Sequence, residues 1–221
     1  MKKLILGLIL VALMAIPIGS AKAVTPVVPF EGKMIALDAG HGGSDTGAVN
    51  IASGLQEKVV NLAVVYALKE KLEDAGATVV LSREGDETII SRKERIDIAK
   101  AKCAVYGRNC DILISVHHNG STDPTVDGTL TIYNGKLDKP LAYVMQPTLV
   151  NALGTKDLGY ISGGYGITVR GHLVSVLTEA YFITNDWEAS QFLYGTRKAQ
   201  EAQALYDGIG SYFSSRPSKR K

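Results

Sequence analysis

His41, Glu57 and His117 are the residues of this chain whose types can do chemistry together. Two imidazoles and a carboxylate make the ligand set of an open catalytic zinc site, which keeps one position for water. Each lies just past a strand-like run or at the start of a helix. Glu179 closes the apolar run VSVLTE and has no obvious partner in the sequence. A free carboxylate beside such a centre can take the proton of an attacking water, so the four residues together point to hydrolysis.

Each residue also has a plainer reading. The segment LDAGHGGSDTGAVN places Gly40 and Gly42 after a strand, as a dinucleotide loop would. Asp45, however, occupies the third glycine position, where its carboxylate would repel a pyrophosphate, and no Walker lysine follows. The glycines instead let the backbone turn sharply and present His41. Glu57, in GLQEK, opens a helix, where a carboxylate also suits the positive end of the dipole. Its closeness to His41 in the turn leading into that helix favours the ligand role. His117 and His118 are adjacent, so on extended backbone they point to opposite faces and only one faces the site. These residues alone leave open which one. A buried carboxylate such as Glu179 requires a charge partner or a cleft. His172 reads as an ordinary surface or loop histidine.

The elements that must position these residues follow from hydrophobic periodicity. Met34 to Leu37 predicts a buried strand that runs into the glycine-rich turn. Gln56 to Ala75 has helical period, with Val60, Val64, Leu68 and Leu72 on one face and Gly76 placed to end it. Thr78 to Leu81 predicts a second strand. Ser91, with Glu94 at capping-box spacing, predicts another helix start. Ile112 to Val116 predicts a third buried strand leading directly into His117, and Gly128 to Tyr133 a fourth. Leu141 to Leu153 predicts a helix, Val174 to Leu177 a strand, and Thr184 or Asn185 the start of a C-terminal helical region reaching about Phe213. Strands alternating with helices imply an α/β fold: a mostly parallel sheet with helices on both faces. Ligand sites in such sheets lie beyond the carboxyl ends of the strands, where His41, His117 and Glu179 all fall. There is no internal repeat, linker or second domain in the pattern.

A length of 221 residues suits one such domain. Lys2 and Lys3 precede an apolar run from Leu4 to Ile18, and Ala21-Lys22-Ala23 has the form of a signal-peptidase site. We therefore expect residues 1–23 to be a secretory signal, 24–33 an extended lead-in, 34–213 the catalytic domain and 214–221 a basic tail. Without the three cations Lys2, Lys3 and Lys22 the net charge of +2 becomes −1, which leaves no basic field for nucleic acid. No stable membrane association is expected once the signal is cleaved. Cys103 and Cys110, spaced C-x6-C, can close a short loop before the third strand in an oxidising compartment.

The motifs LDAGHGGSDTGA, GLQEK, VVLSREGD, ISRKERIDIA, ILISVHHN and VLTEAYFITND together resemble the zinc-dependent N-acetylmuramoyl-L-alanine amidases of the bacterial cell-separation and sporulation type. The resemblance runs from Ile35 to about Leu193. It implies a twisted sheet of six strands, Zn2+ held by His41, Glu57 and His117, and Glu179 as the catalytic carboxylate. It also implies a peptidoglycan or muropeptide substrate, cleaved between N-acetylmuramic acid and L-alanine in the periplasm, cell wall or medium. His118 stands where that family usually has a small residue, and Ala180-Tyr181 replaces a usual Thr-Gly. The short interval between His117 and Glu179 implies a site not blocked by an inserted helix. Arg83 is expected to serve structure, in an ion pair, rather than to bind a stem-peptide carboxylate. A regulatory protein is conceivable but unidentified. The alternatives are a different secreted zinc amidohydrolase or deacetylase, and a wall-binding domain without turnover.

Overall fold

The computed structural model describes residues 30–88, 91–163 and 173–216. The expected signal segment, all but the end of the lead-in, His172 and the last five residues of the basic tail lie outside the described residues. In chain order the elements are β1 (Met34–Ala39), α1 (Glu57–Asp74), β2 (Thr78–Leu81), α2 (Arg92–Val105), β3 (Ile112–Asn119), β4 (Thr129–Tyr133), α3 (Lys139–Leu153), β5 (Asp157–Ser162), β6 (Val174–Phe182), α4 (Asp186–Tyr194) and α5 (Arg197–Ser214).

The six strands form one sheet in the order β2-β1-β3-β6-β4-β5. β1, β2, β3 and β6 run parallel, whereas β4 runs antiparallel to β6 and pairs in parallel with β5. Helices cover both faces, as the alternation of elements predicts. Val60, Val64 and Leu68 of α1, Leu141, Met145 and Leu149 of α3, and Leu205 and Ile209 of α5 pack on Ile35, Leu37, Ile112, Ile114 and Val176. On the other face Ile96, Ala99 and Cys103 of α2 pack on Met34, Ala36, Val80 and Leu113. Burial on both faces is why β1 and β3 read as continuous apolar runs rather than alternating ones. Each such Leu or Ile side chain removed from water contributes about 1.5–3 kcal/mol.

Four elements differ from the sequence reading, the first being β3, which runs on to Asn119 so that His117 lies within it. β5 carries no apolar alternation because it is a largely exposed edge strand, DLGYIS, with a glycine at its centre. The C-terminal helical region is two helices, α4 capped by the Asn185 side chain and α5, separated at Gly195 and Thr196. β6 extends to Phe182, so Glu179 lies inside the strand rather than closing it. Ser91 caps α2 by accepting from the Glu94 N–H, as its spacing predicts. Cys103 and Cys110 are joined in a disulfide linking the end of α2 to the entry of β3.

Candidate active site

The site is built at the carboxyl ends of β1, β3 and β6. The turn after β1 leaves the sheet at Gly40 and brings His41 out in the left-handed region, at φ 61°. For a residue with a side chain this backbone is strained, and surrounding bonds must hold it. Arg95 of α2 does so: its guanidinium donates to the carbonyls of Ala39 at 2.7 Å and His41 at 2.6 Å, and pairs with buried Asp38 at 3.0 Å. Asp38 also accepts from Ser82 and Ser115. Burial pushes its carboxyl up, but Arg95 and the two hydroxyls outweigh this and hold it below the ordinary carboxylate range.

Arg83 is structural, as expected, but by a different route from an ion pair. It donates to the carbonyls of Ala39, Gly40, Lys58 and Gly85, tying the turn to the first turn of α1. Lys58 reinforces the link by donating to the Gly43 carbonyl and pairing with Asp86.

Glu57, the first residue of α1, sits at the centre of the cluster. His41 Nε2 stands 3.1 Å from its Oε2, and His117 Nδ1 stands 3.0 Å from its Oε1. The backbone N–H groups of Ala48 and His118 donate to the same carboxylate. Burial would raise the Glu57 carboxyl, but the bonds and charges of His117 and His41 hold it far below its usual range. The effect on His41 is reciprocal, since burial lowers its pKa and the Glu57 and Asp45 carboxylates raise it further than that.

Ligand atoms of His41, Glu57 and His117 lie within 4.8 Å of one another, a group able to hold a metal ion. Two glycines make room for it. A Cβ at Gly40 would come within 2.2 Å of the His117 ring, and one at Gly47, whose φ is 63°, within 2.4 Å of Glu57 Oε2. The histidine left ambiguous by the sequence is settled in orientation by the pleat. His117 shares the α2 face with Leu113 and Ser115, whereas His118 points to the opposite face and is buried against α1 and α5.

Glu179 pairs in register with His117 across β3 and β6. Its Oε2 is buried and has no hydrogen-bond partner among the described residues. Burial, helped by the nearby charge of Glu57, pushes its carboxyl up to about 8, against the lowering influence of His41. A buried carboxyl whose proton affinity is raised beside such a cluster has the character of a proton-transfer group.

Asp45 escaped the sequence reading, which took it only as an obstacle to phosphate. Its Oδ2 lies 2.9 Å from His41 Nδ1, leaving Nε2 to face the cluster. A carboxylate on the outer nitrogen of a ligating histidine is the usual way its ring is aimed. Asn61, one turn beyond Glu57, was missed too. Its amide donates to Glu57 Oε1 at 3.2 Å, and the i, i+4 spacing on α1 was the available signal.

Fold and cluster together define a class: an α/β domain whose six-stranded, mostly parallel sheet gathers two imidazoles and a shared carboxylate at its strand ends, beside a buried glutamate. The model of the N-acetylmuramoyl-L-alanine amidase family Amidase_3 matches residues 35–211, and the chain belongs to that family. It is 36% identical over 206 residues to the N-acetylmuramoyl-L-alanine amidase LytC of Bacillus subtilis, covering 89% of this chain and 40% of LytC. The chain therefore spans well under half of that relative's length. It is also 36% identical over 189 residues to YqiI of Bacillus subtilis, covering 84% of this chain and 87% of YqiI. Among solved structures, the catalytic domain of CwlV, an N-acetylmuramoyl-L-alanine amidase from Bacillus (Paenibacillus) polymyxa var. colistinus, superposes with a TM-score of 0.74 at 29% identity. That match covers 83% of this chain and 99% of the CwlV domain.

Proposed function

We propose that this protein hydrolyses the amide between N-acetylmuramic acid and L-alanine in peptidoglycan or its muropeptides, with a zinc ion held by His41, Glu57 and His117. The observation that carries this is the meeting of three ligand atoms within 4.8 Å beside the unpartnered oxygen of Glu179. Two neutral imidazoles and one carboxylate suit zinc, and Asp45 aims the first imidazole as a zinc site requires. A bound zinc supplies Lewis acidity, acidifying water and polarising the scissile carbonyl.

The chain's own residues do the rest. Glu179 accepts the proton of the attacking water and returns it to the nitrogen of the departing L-alanine. Among the described residues no helix is long and apolar enough to cross a membrane. We infer export by the N-terminal segment and action at the cell wall, with residues 34–213 as the catalytic domain.

The test uses purified cell walls incubated with wild type and Glu179→Ala. Release of new L-alanine amino termini by wild type, and its loss in the variant, is expected. Equal release by both removes Glu179 from the reaction, and release of acetate in place of amino termini makes the protein a deacetylase.

A further inference from the structure

Behind the candidate metal ligands, on the opposite face of the sheet, lies a polar chain in an otherwise apolar layer. Asn61 on α1, His118 on β3 and Glu201 on α5 are all buried, with Asn61 and Glu201 at 0% exposure and His118 at 1%. Asn61 Nδ2 donates to Glu57 Oε1 at 3.2 Å and to the Gly40 carbonyl at 3.1 Å. Both of those partners only accept, so the amide nitrogen must face them and Asn61 Oδ1 must face the other way. There it meets His118 Nδ1 at 2.7 Å, and His118 Nε2 in turn meets Glu201 Oε2 at 2.9 Å.

We propose that His118, with Asn61 as its intermediary, is a positioning residue for the Glu57 carboxylate, and that Glu201 holds its ring in place. This rests on Glu57 being a metal ligand. The physical case is one of orientation. Its two acceptors set which way the Asn61 amide faces, and a donor at Oδ1 anchors it there from the other side. Flipped, it would set an oxygen against Glu57 and the Gly40 carbonyl. His118 Nδ1–H supplies that donor from a ring that α5 clamps from behind. The ring of Tyr181, at 4.4 Å between centroids, closes its side. The chain thus ties the carboxylate at the centre of the site to α5.

Outer partners of metal ligands typically change metal affinity 10- to 100-fold when removed. The measurement is the zinc dissociation constant, by competition with a chromogenic chelator, on protein checked for native circular dichroism. Asn61→Leu, close in shape but unable to donate, is expected to bind zinc at least tenfold more weakly. Two variants are made in a Glu201→Gln background so that no buried charge is stranded. His118→Leu should bind at least tenfold more weakly than His118→Asn, whose amide can still donate to Asn61 Oδ1. Equal affinity of those two variants, or an Asn61→Leu affinity within twofold of wild type, overturns the proposal. Should Asn61→Leu not fold, the His118 pair decides alone. If wild type itself takes up no stoichiometric zinc, the ligand assignment fails and the positioning role fails with it. Wild-type binding with unaffected variants sinks the positioning role only.

Discussion

His117 and Glu179 stand side by side in register on the neighbouring parallel strands β3 and β6. The pairing sets a cluster histidine beside a carboxyl whose Oε2 has no hydrogen-bond partner among the described residues. Parallel register thus does what sequence proximity cannot, since the two residues come from separate halves of the site.

The raised pKa of Glu179 makes it a liability for the metal-free fold. Because its folded value of about 8 lies above the ordinary 4.5, the bound proton favours folding. That contribution is whole below pH 4.5 and is lost as pH rises through about 8. Glu179→Gln is therefore expected to abolish turnover yet to raise the melting temperature of chelator-treated protein at pH 9. At pH 4 the two melting temperatures should coincide. At about 1.4 kcal/mol per pKa unit the alkaline difference is at most about 5 kcal/mol, and water reaching the half-buried side chain reduces it. Parallel melting curves across that range would show that burial of Glu179 costs the fold nothing.

Much of this site was legible in the sequence because its parts announce themselves locally. Glycines beside a histidine, a glutamate opening a periodic helix and a β-branched run ending in His117 each mark a strand or helix terminus. What the sequence hid depends on long-range contacts. Glu201 is the single glutamate of the amphipathic helix α5, and nothing in its neighbours signals that it meets His118, 83 residues earlier. Arg95 looked like one more charge in RKER, yet it is buried and grips the carbonyls of the His41 turn. β5 was invisible because an exposed edge strand needs no apolar face, and its pairing with β4 supplies the order that its composition does not.

Gly40 has a steric duty towards His117. A methyl group there would sit 2.2 Å from the ring, so the ring has to move. Gly40→Ala should lower kcat/KM about 100-fold, the scale of loss for a misplacement of about 1 Å. Overpacking should also cost about 1–3 kcal/mol of stability. Kinetics on solubilised wall fragments, with thermal melting in parallel, separates the two effects. Unchanged kcat/KM would mean that the ring's observed place does not matter to catalysis.

The disulfide lies at the far end of β3 from His117. Cys103 and Cys110 close a loop with a sequence separation of 7, for which the chain-entropy estimate is about 2–3 kcal/mol. Replacing both with alanine should lower the unfolding free energy by roughly that amount in a urea titration. Activity at 25 °C should stay within about twofold of wild type, because the pair touches α2 and the start of β3 rather than the ligands. A large fall in activity without loss of stability would tie the loop to the site.

Asp38 and Arg95 form a buried pair under the turn that carries His41, with 3.0 Å between Arg95 Nη1 and Asp38 Oδ1. The folded carboxyl lies below its ordinary value, so its stabilising contribution is complete above about pH 4 and disappears as pH falls through the lowered value. Neutralising one partner leaves the other charge buried without its counter-charge. Asp38→Asn should therefore cost about 3–5 kcal/mol at pH 7. It should also loosen the His41 backbone, because Arg95 donates to the His41 carbonyl from the same guanidinium. The expected signature is a fall in zinc affinity together with the fall in unfolding free energy. Urea titration and chelator competition on the same preparation measure both. Lost stability with undiminished zinc affinity would show that the pair supports the sheet alone, and that the left-handed turn at His41 keeps its shape without it.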